Sequence, residues 1–141
     1  MAITILLVED SPTDAAILSA ALDDVGCQWP VQVAQTGDEA IALLQQTDSS
    51  NQNHPQLILL DLNLPGKTGH EVLQEIKQNV LWQAIPTIVL SSSATQTDIH
   101  RSYQLHANAY ITKPANFNGY QIIAQKINDF WLKTVQLPLT N

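Results

Sequence analysis

Cysteine is almost missing: Cys27 stands alone in a chain of 141 residues, which excludes an internal disulfide framework and a cysteine-based zinc site. Positive charge is scarce as well. Six Lys and Arg face 13 Asp and Glu, the formal net charge is -7, and Arg101 is the single arginine. A protein that reads phosphate backbones needs clustered basic side chains to displace counterions, so direct DNA or RNA binding is not expected. No apolar run approaches the roughly 18–20 residues of a membrane-crossing helix. Met1-Ala2-Ile3-Thr4 carries no basic segment and soon meets Glu9-Asp10, so no secretory signal is expected. What is present is 45% hydrophobic and 13% charged, enough to bury a core and unlike a disordered tail. The expectation is one cytoplasmic domain over residues 1–141 that does not enter a membrane.

Apolar runs alternate with helical spacing along the chain. Ile3 to Val8 is a continuous run of the kind a strand buried on both faces shows. Pro12, after Asp10-Ser11, suits a first helical turn. Leu18, Ala21, Leu22 and Val25 then follow at helical spacing until Gly26. Val31 to Ala34 reads as a second strand, and Thr36-Gly37-Asp38-Glu39 as a capping box opening a helix through Leu44. Thr47 to Pro55 is wholly polar apart from its last residue and reads as a loop. Leu57 to Leu60 is a third strand. Gly66 and Gly69 mark the turn before a helix striped by Val72, Ile76 and Val80. Pro86 to Leu90 is a fourth strand, followed by a weaker helix from Thr97 to His106 with Ile99 and Tyr103 inward. Ala109 to Thr112 is a fifth strand, and Tyr120, Ile123, Ile127 and Phe130 mark a long last helix. Five buried strands, each followed by a helix, imply a doubly wound parallel α/β sheet covered on both faces. Ligands of such sheets bind at the carboxyl ends of the strands.

The residues at those ends are chemically selective. Strand one ends in Glu9-Asp10, strand three in Asp61, strand four in Ser91 and strand five in Lys113. Two like charges about 4 Å apart repel by ~4 kcal/mol at an effective dielectric near 20, so three carboxylates need compensation, by protons or by a divalent cation. Oxygen donors in an incomplete cage suit Mg²⁺. In the resulting proposal Asp61 is the nucleophile that takes a phosphoryl group, and Asp10 and Asp61 hold the metal, with Glu9 acting through a bound water. The Ser91 hydroxyl and the Lys113 ammonium each take a phosphoryl oxygen. Each residue alone is ordinary; their arrival at one sheet edge is what carries the reading.

The set Glu9-Asp10, Asp61-Leu62-Asn63-Leu64-Pro65 with Gly69, Ser91, and Lys113-Pro114 resembles the receiver domain of two-component response regulators over nearly the whole chain. The resemblance implies a flavodoxin-like fold with strand order 2-1-3-4-5 and five helices. It implies phosphorylation of Asp61 by a histidine kinase or phosphotransfer protein, the Asn63 carbonyl as a further metal ligand, and a cis peptide before Pro114. It also implies a switch, in which Ser91 moves toward the phosphoryl group and Tyr110 turns into the vacated space. The face of the fourth helix, fifth strand and fifth helix changes as a result. A narrower likeness is to the small stand-alone receivers that accompany cyanobacterial phytochromes. It rests on Glu9 to Asp14, the polar stretch before His54-Pro55, Asn108 to Pro114, and Asp129-Phe130-Trp131-Leu132 with Leu137-Pro138. It implies a light-regulated kinase and a homodimer through the switch face, with Phe130 and Trp131 as interface candidates, although Phe130 shares a stripe with Ile123 and Ile127 and reads as core. No output domain is expected after the last helix. Ser91 stands where threonine is commoner in the family, and Ser93 lies near the site mouth, where it can influence water access.

Rival functions fit less well. A phosphatase of the haloacid-dehalogenase type wants a second Asp two residues after the nucleophile, and here that residue is Asn63. A flavin mononucleotide binder would find its phosphate repelled by Glu9-Asp10, and a non-phosphorylated receiver relative would have lost acids or the lysine. His54, His70, His100 and His106 have no metal-ligand spacing and read as surface residues.

Overall fold

The computed structural model describes residues 4–49 and 54–138. Five parallel strands, β1 (Ile5–Val8), β2 (Val31–Ala34), β3 (Leu57–Leu60), β4 (Thr87–Ser91) and β5 (Ala109–Thr112), form one sheet in the order β2-β1-β3-β4-β5. The helices are α1 (Pro12–Asp24), α2 (Gly37–Ser49), α3 (Gly69–Gln78), α4 (Gln96–Gln104) and α5 (Phe117–Lys126), the last continuing as a π-helical segment over Ile127–Thr134. The strands and their order are those expected, Ile3 lying outside the described residues.

Alternation along each strand divides the core in two. Leu6, Val8, Ile58, Leu60 and Val89 pack on one face against Ala40 and Leu44 of α2 and Val72, Leu73 and Ile76 of α3. Ile5, Leu7, Leu57, Leu59, Ile88 and Leu90 pack on the other against Leu18 and Leu22 of α1 and Tyr120 and Ala124 of α5. This two-residue period also decides which way the strand ends point. Glu9, Asp61 and Lys113 continue the phase of the α1/α5 face, whereas Ser91 and Tyr110 belong to the phase of the other.

Several local expectations are corrected. Helix α2 does not stop at Leu44: Thr47 donates back to the Leu44 carbonyl at 2.7 Å, and Asp48 accepts from Trp82 Nε1 at 3.0 Å and bonds His54. Tertiary partners therefore turn the start of the supposed 47–55 loop into helix, while residues 50–53 lie outside the described ones. His54 is consequently buried rather than at the surface. Helix α3 ends at Gln78, because Asn79 turns extended and its side chain accepts from Leu81 N–H at 2.8 Å. Val80 is thus expelled from the stripe to 80% exposure. Tyr103 is exposed, since Ser102 is the buried residue of α4. Phe130 is half-exposed, because i→i+5 bonding adds a residue per turn and carries position 130 out of the Ile123–Ile127 stripe. Trp131 instead packs against the α1/α5 core. Thr36 caps α2 through Glu39 N–H as expected, but the Glu39 carboxylate returns to Gln35 N–H. A full capping box stands at Thr68 and Glu71.

One glycine is dictated by the site. A Cβ on Gly69 would lie 2.3 Å from the Asp61 carbonyl and 2.4 Å from Leu62 Cα, so backbone would have to move. Gly69→Ala is expected to cost about 1–3 kcal/mol of unfolding free energy by overpacking, read by urea denaturation; an unchanged midpoint would show that the loop yields freely.

Candidate functional site

The ladder of the sheet runs one residue past the strands. Glu9 N–H donates to the Ala34 carbonyl at 2.9 Å, Asp61 N–H to the Val8 carbonyl at 3.0 Å, and Lys113 N–H to the Ser91 carbonyl at 2.7 Å. Backbone bonding thus fixes Glu9, Asp61 and Lys113 where the strands end, as a parallel sheet requires of its ligand edge.

Their side chains meet. The Lys113 ammonium contacts Glu9 Oε1 at 2.6 Å, Asp14 Oδ2 at 3.0 Å and Asp61 Oδ2 at 3.1 Å. Glu9 and Asp61 are buried and Asp10 is exposed, yet one carboxylate oxygen from each of the three lies within 4.8 Å of the others. Asp61 Oδ1 accepts from Asn63 N–H at 3.3 Å, and Glu9 Oε2 accepts from Ser11 N–H at 3.2 Å. Burial pushes the Glu9 pKa up to about 7, the Lys113 hydrogen bond opposing and the Asp61 charge adding to the rise. Burial works against the Lys113 ammonium, but its bonds to Glu9 and Asp14 and the charges of Asp61 and Glu9 outweigh that and hold its pKa above that of an ordinary lysine. Three carboxylates therefore share one cation with Asp10 close by, and the surplus negative charge with an all-oxygen donor set fits a divalent metal.

The expected residues are not all gathered at one point. Glu9, Asp10, Asp61 and Lys113 converge. Ser91 is buried at the end of β4 with its Oγ accepting from Ser93 N–H at 3.2 Å. Tyr110 is half-buried on the α2–α3 side of the sheet and donates to the Ser93 carbonyl at 2.7 Å. Ser91 and Tyr110 are thus joined through the backbone of the β4–α4 loop. Asn63 lies exposed in the β3–α3 loop. The cis peptide expected before Pro114 is corrected: there is no cis bond among the described residues. The trans form is the lower-energy state of an X–Pro bond, and Lys113 reaches Glu9, Asp14 and Asp61 in it. Asp14 was not singled out by sequence reasoning. Its signal was available, because Ser11 as N-cap and Pro12 at the first position place residue 14 in the first turn of α1, facing the strand ends.

Comparison with known proteins agrees with this geometry. The family described as the response regulator receiver domain matches residues 5–125. The response regulator Rcp1 of Synechocystis sp. is 44% identical over 135 residues, covering 95% of this chain and 92% of that protein. The phosphorylated cyanobacterial phytochrome response regulator RcpA is similar in structure, with a TM-score of 0.90 at 44% identity over 98% of this chain and 99% of the other. The Mn²⁺-bound form of Rcp1 superposes with a TM-score of 0.87 at 44% identity, over 96% of this chain and 98% of that one. Strand order, the acidic edge with its single ammonium, and similarity over nearly the full length lead to the same place: this chain belongs to the response regulator receiver domain family of two-component signalling.

Proposed function

We propose that this chain is the phosphoacceptor of a two-component relay, with Asp61 as the acceptor, a histidine kinase as donor and Mg²⁺ as the resident metal. The observation that carries the reading is the Lys113 ammonium seated between the Glu9 and Asp61 carboxylates. An Asp61 oxygen forms the new O–P bond while the N–P bond of a phosphohistidine breaks, and the imidazole leaves with the bonding pair and takes up a proton. In the return reaction a water oxygen attacks phosphorus, the acyl-phosphate O–P bond breaks, and the electron pair goes back to Asp61. Asp10, Asp61 and the Asn63 carbonyl would hold the metal, with Glu9 reaching it through water; bound there, Mg²⁺ neutralises the phosphoryl oxygens. Lys113 supplies the second positive charge. Positioning and neutralisation are the main contributions a protein makes to phosphoryl transfer, so the chain serves its own phosphorylation and autodephosphorylation and no external substrate.

The switch follows from strand phase. Ser91 offers its hydroxyl to the phosphoryl group, and any movement of the β4–α4 loop is felt at Tyr110 through its bond to the Ser93 carbonyl. The α4-β5-α5 face then changes, and exposed Tyr103 of α4 and Ile122 of α5 give it apolar area for a homodimer. The Phe130 and Trp131 rings, edge-on at 5.4 Å, extend that area beyond α5. Because RcpA is a phytochrome response regulator, a phytochrome-type kinase is the favoured donor. Such a kinase draws its phosphoryl group from ATP, which places the exchange in the cytoplasm.

Incubation with acetyl phosphate and Mg²⁺ followed by intact-mass measurement is expected to show a single phosphoryl adduct that requires the cation. Steady turnover of varied phosphate esters would replace this reading with that of a phosphatase. For the dimer, sedimentation velocity is expected to show a heavier species on phosphorylation; a monomer in both states would remove the homodimer from the reading.

A further inference from the structure

We propose that Asp14 is a positioning residue for phosphoryl transfer at Asp61: it holds the Lys113 ammonium at the rim of the site and gives it up when a phosphoryl group arrives. The inference rests on Asp61 being the acceptor and adds a competitor that regulates that same site.

An ammonium has three N–H donors, and Lys113 directs them at three carboxylates, Glu9 at 2.6 Å, Asp14 at 3.0 Å and Asp61 at 3.1 Å. No donor is left over. A phosphoryl group on Asp61 adds roughly 1.5–2 negative charges and three strong acceptors; the N–H now given to Asp61 can turn to one phosphoryl oxygen, and a second contact requires the release of Glu9 or Asp14. Releasing Glu9 would strand a carboxylate with 4% of its side chain exposed. Asp14 has 35% of its side chain exposed, so water can replace the ammonium at little cost.

Two further features make Asp14 the releasable partner. It occupies the first turn of α1, where Ser11 Oγ accepts from Asp14 N–H at 3.2 Å, and the positive end of the helix stabilises its carboxylate once it is freed. Beside it opens a cavity of about 480 Å³ lined by Asp14, Lys113, Asn116, Phe117 and Tyr120, which gives the side chain room to turn without repacking. Asp14 is also absent from the cluster of Glu9, Asp10 and Asp61 that fits a cation. It therefore acts through Lys113 and through its charge.

Opposite signs follow for the two ligands. Asp14 draws the ammonium outward and adds negative charge, which favours the cation; it competes with a phosphoryl oxygen for the same N–H, which disfavours that group. In the full chain, Asp14→Asn is expected to raise the Mg²⁺ dissociation constant by about 2–5-fold and to tighten beryllium trifluoride at saturating Mg²⁺ by about 2–5-fold, the range of a partly exposed ion pair. Both are measured by calorimetry. Beryllium trifluoride serves as the probe because it sits tetrahedrally on a carboxylate oxygen as a phosphoryl group does. Adduct formation from acetyl phosphate at saturating Mg²⁺ is expected to quicken, and Asp14→Glu to return all three quantities toward the parent values. Weakening of both ligands together, as a loosened fold would give, or no change in either, overturns the proposal. Failure of the parent chain to form an Asp61 adduct is a separate result and overturns the acceptor assignment instead.

Discussion

Asp61→Asn is expected to abolish the phosphoryl adduct while leaving the fold intact and more stable. The amide keeps the shape of the side chain and its acceptor for Asn63 N–H, which reaches Asp61 Oδ1 at 3.3 Å. It lacks the negative oxygen that attacks phosphorus, so transfer from acetyl phosphate or a kinase should fall below detection by intact mass. The same change removes one of the like charges that raise the Glu9 pKa, so thermal unfolding in the absence of metal should move to higher temperature. A divalent cation that binds the folded state alone should stabilise the parent by about 1.4 kcal/mol at ten times its dissociation constant, and that increment should shrink in the variant. An adduct that persists in Asp61→Asn would place the acceptor on another residue. A melting temperature that falls would mean that the carboxylate is a structural partner of Lys113 first and a repelling charge second.

Lys113→Ala should have the largest effect on stability, and that effect should depend on pH. Removing the ammonium leaves Glu9 and Asp61 buried without their counter-charge, a change that typically costs ~3–5 kcal/mol. The Glu9 pKa stands at about 7 in the folded chain against an ordinary 4.5. Between those values the folded state binds a proton that the unfolded state has lost, so stability falls as pH rises through that window. The Lys113 contribution has the same sense, in a far more alkaline window. It is fully present below the ordinary lysine value and is lost only at more alkaline pH, because the folded pKa is the higher one. Without the lysine, which opposes the rise, Glu9 holds its proton to higher pH still. Urea denaturation in chelator should therefore show a large deficit at pH 8, a smaller one at pH 5, and partial recovery when Mg²⁺ is added at pH 8. An equal deficit at both pH values would show that Lys113 contributes packing rather than charge.

The local chemistry of this chain determines much of its architecture without help. Short apolar runs at Ile5–Val8 and Leu57–Leu60, and the stretch Pro86–Leu90, each bounded by polar or turn residues, read as strands covered on both faces, and central strands β1, β3 and β4 are buried throughout. Each run stops at a residue too polar to bury unpartnered, and a parallel sheet collects those residues on one edge. That is why Glu9, Asp10, Asp61 and Lys113 are legible as a group in the sequence. Helix starts at Pro12 and Thr36 were legible for the same reason, because a cap satisfies N–H groups within a few residues of itself.

Tertiary structure decided what depends on register and on distant partners. Lys113 reaches Asp14 across 99 positions, a contact set by how α1 lies over the sheet. The phase of each strand placed Lys113 with Asp61 and left Ser91 with Tyr110 on the opposite face, and phase is fixed only when the strands pair. His54 is buried where it bonds Asp48, which Trp82 in turn holds, and Phe130 is exposed because the last helix widens into π-type bonding. A periodic pattern records which residues share a face of their own element. It does not record which neighbour that face will meet, since the energy that settles the question comes from contacts between segments far apart in the chain.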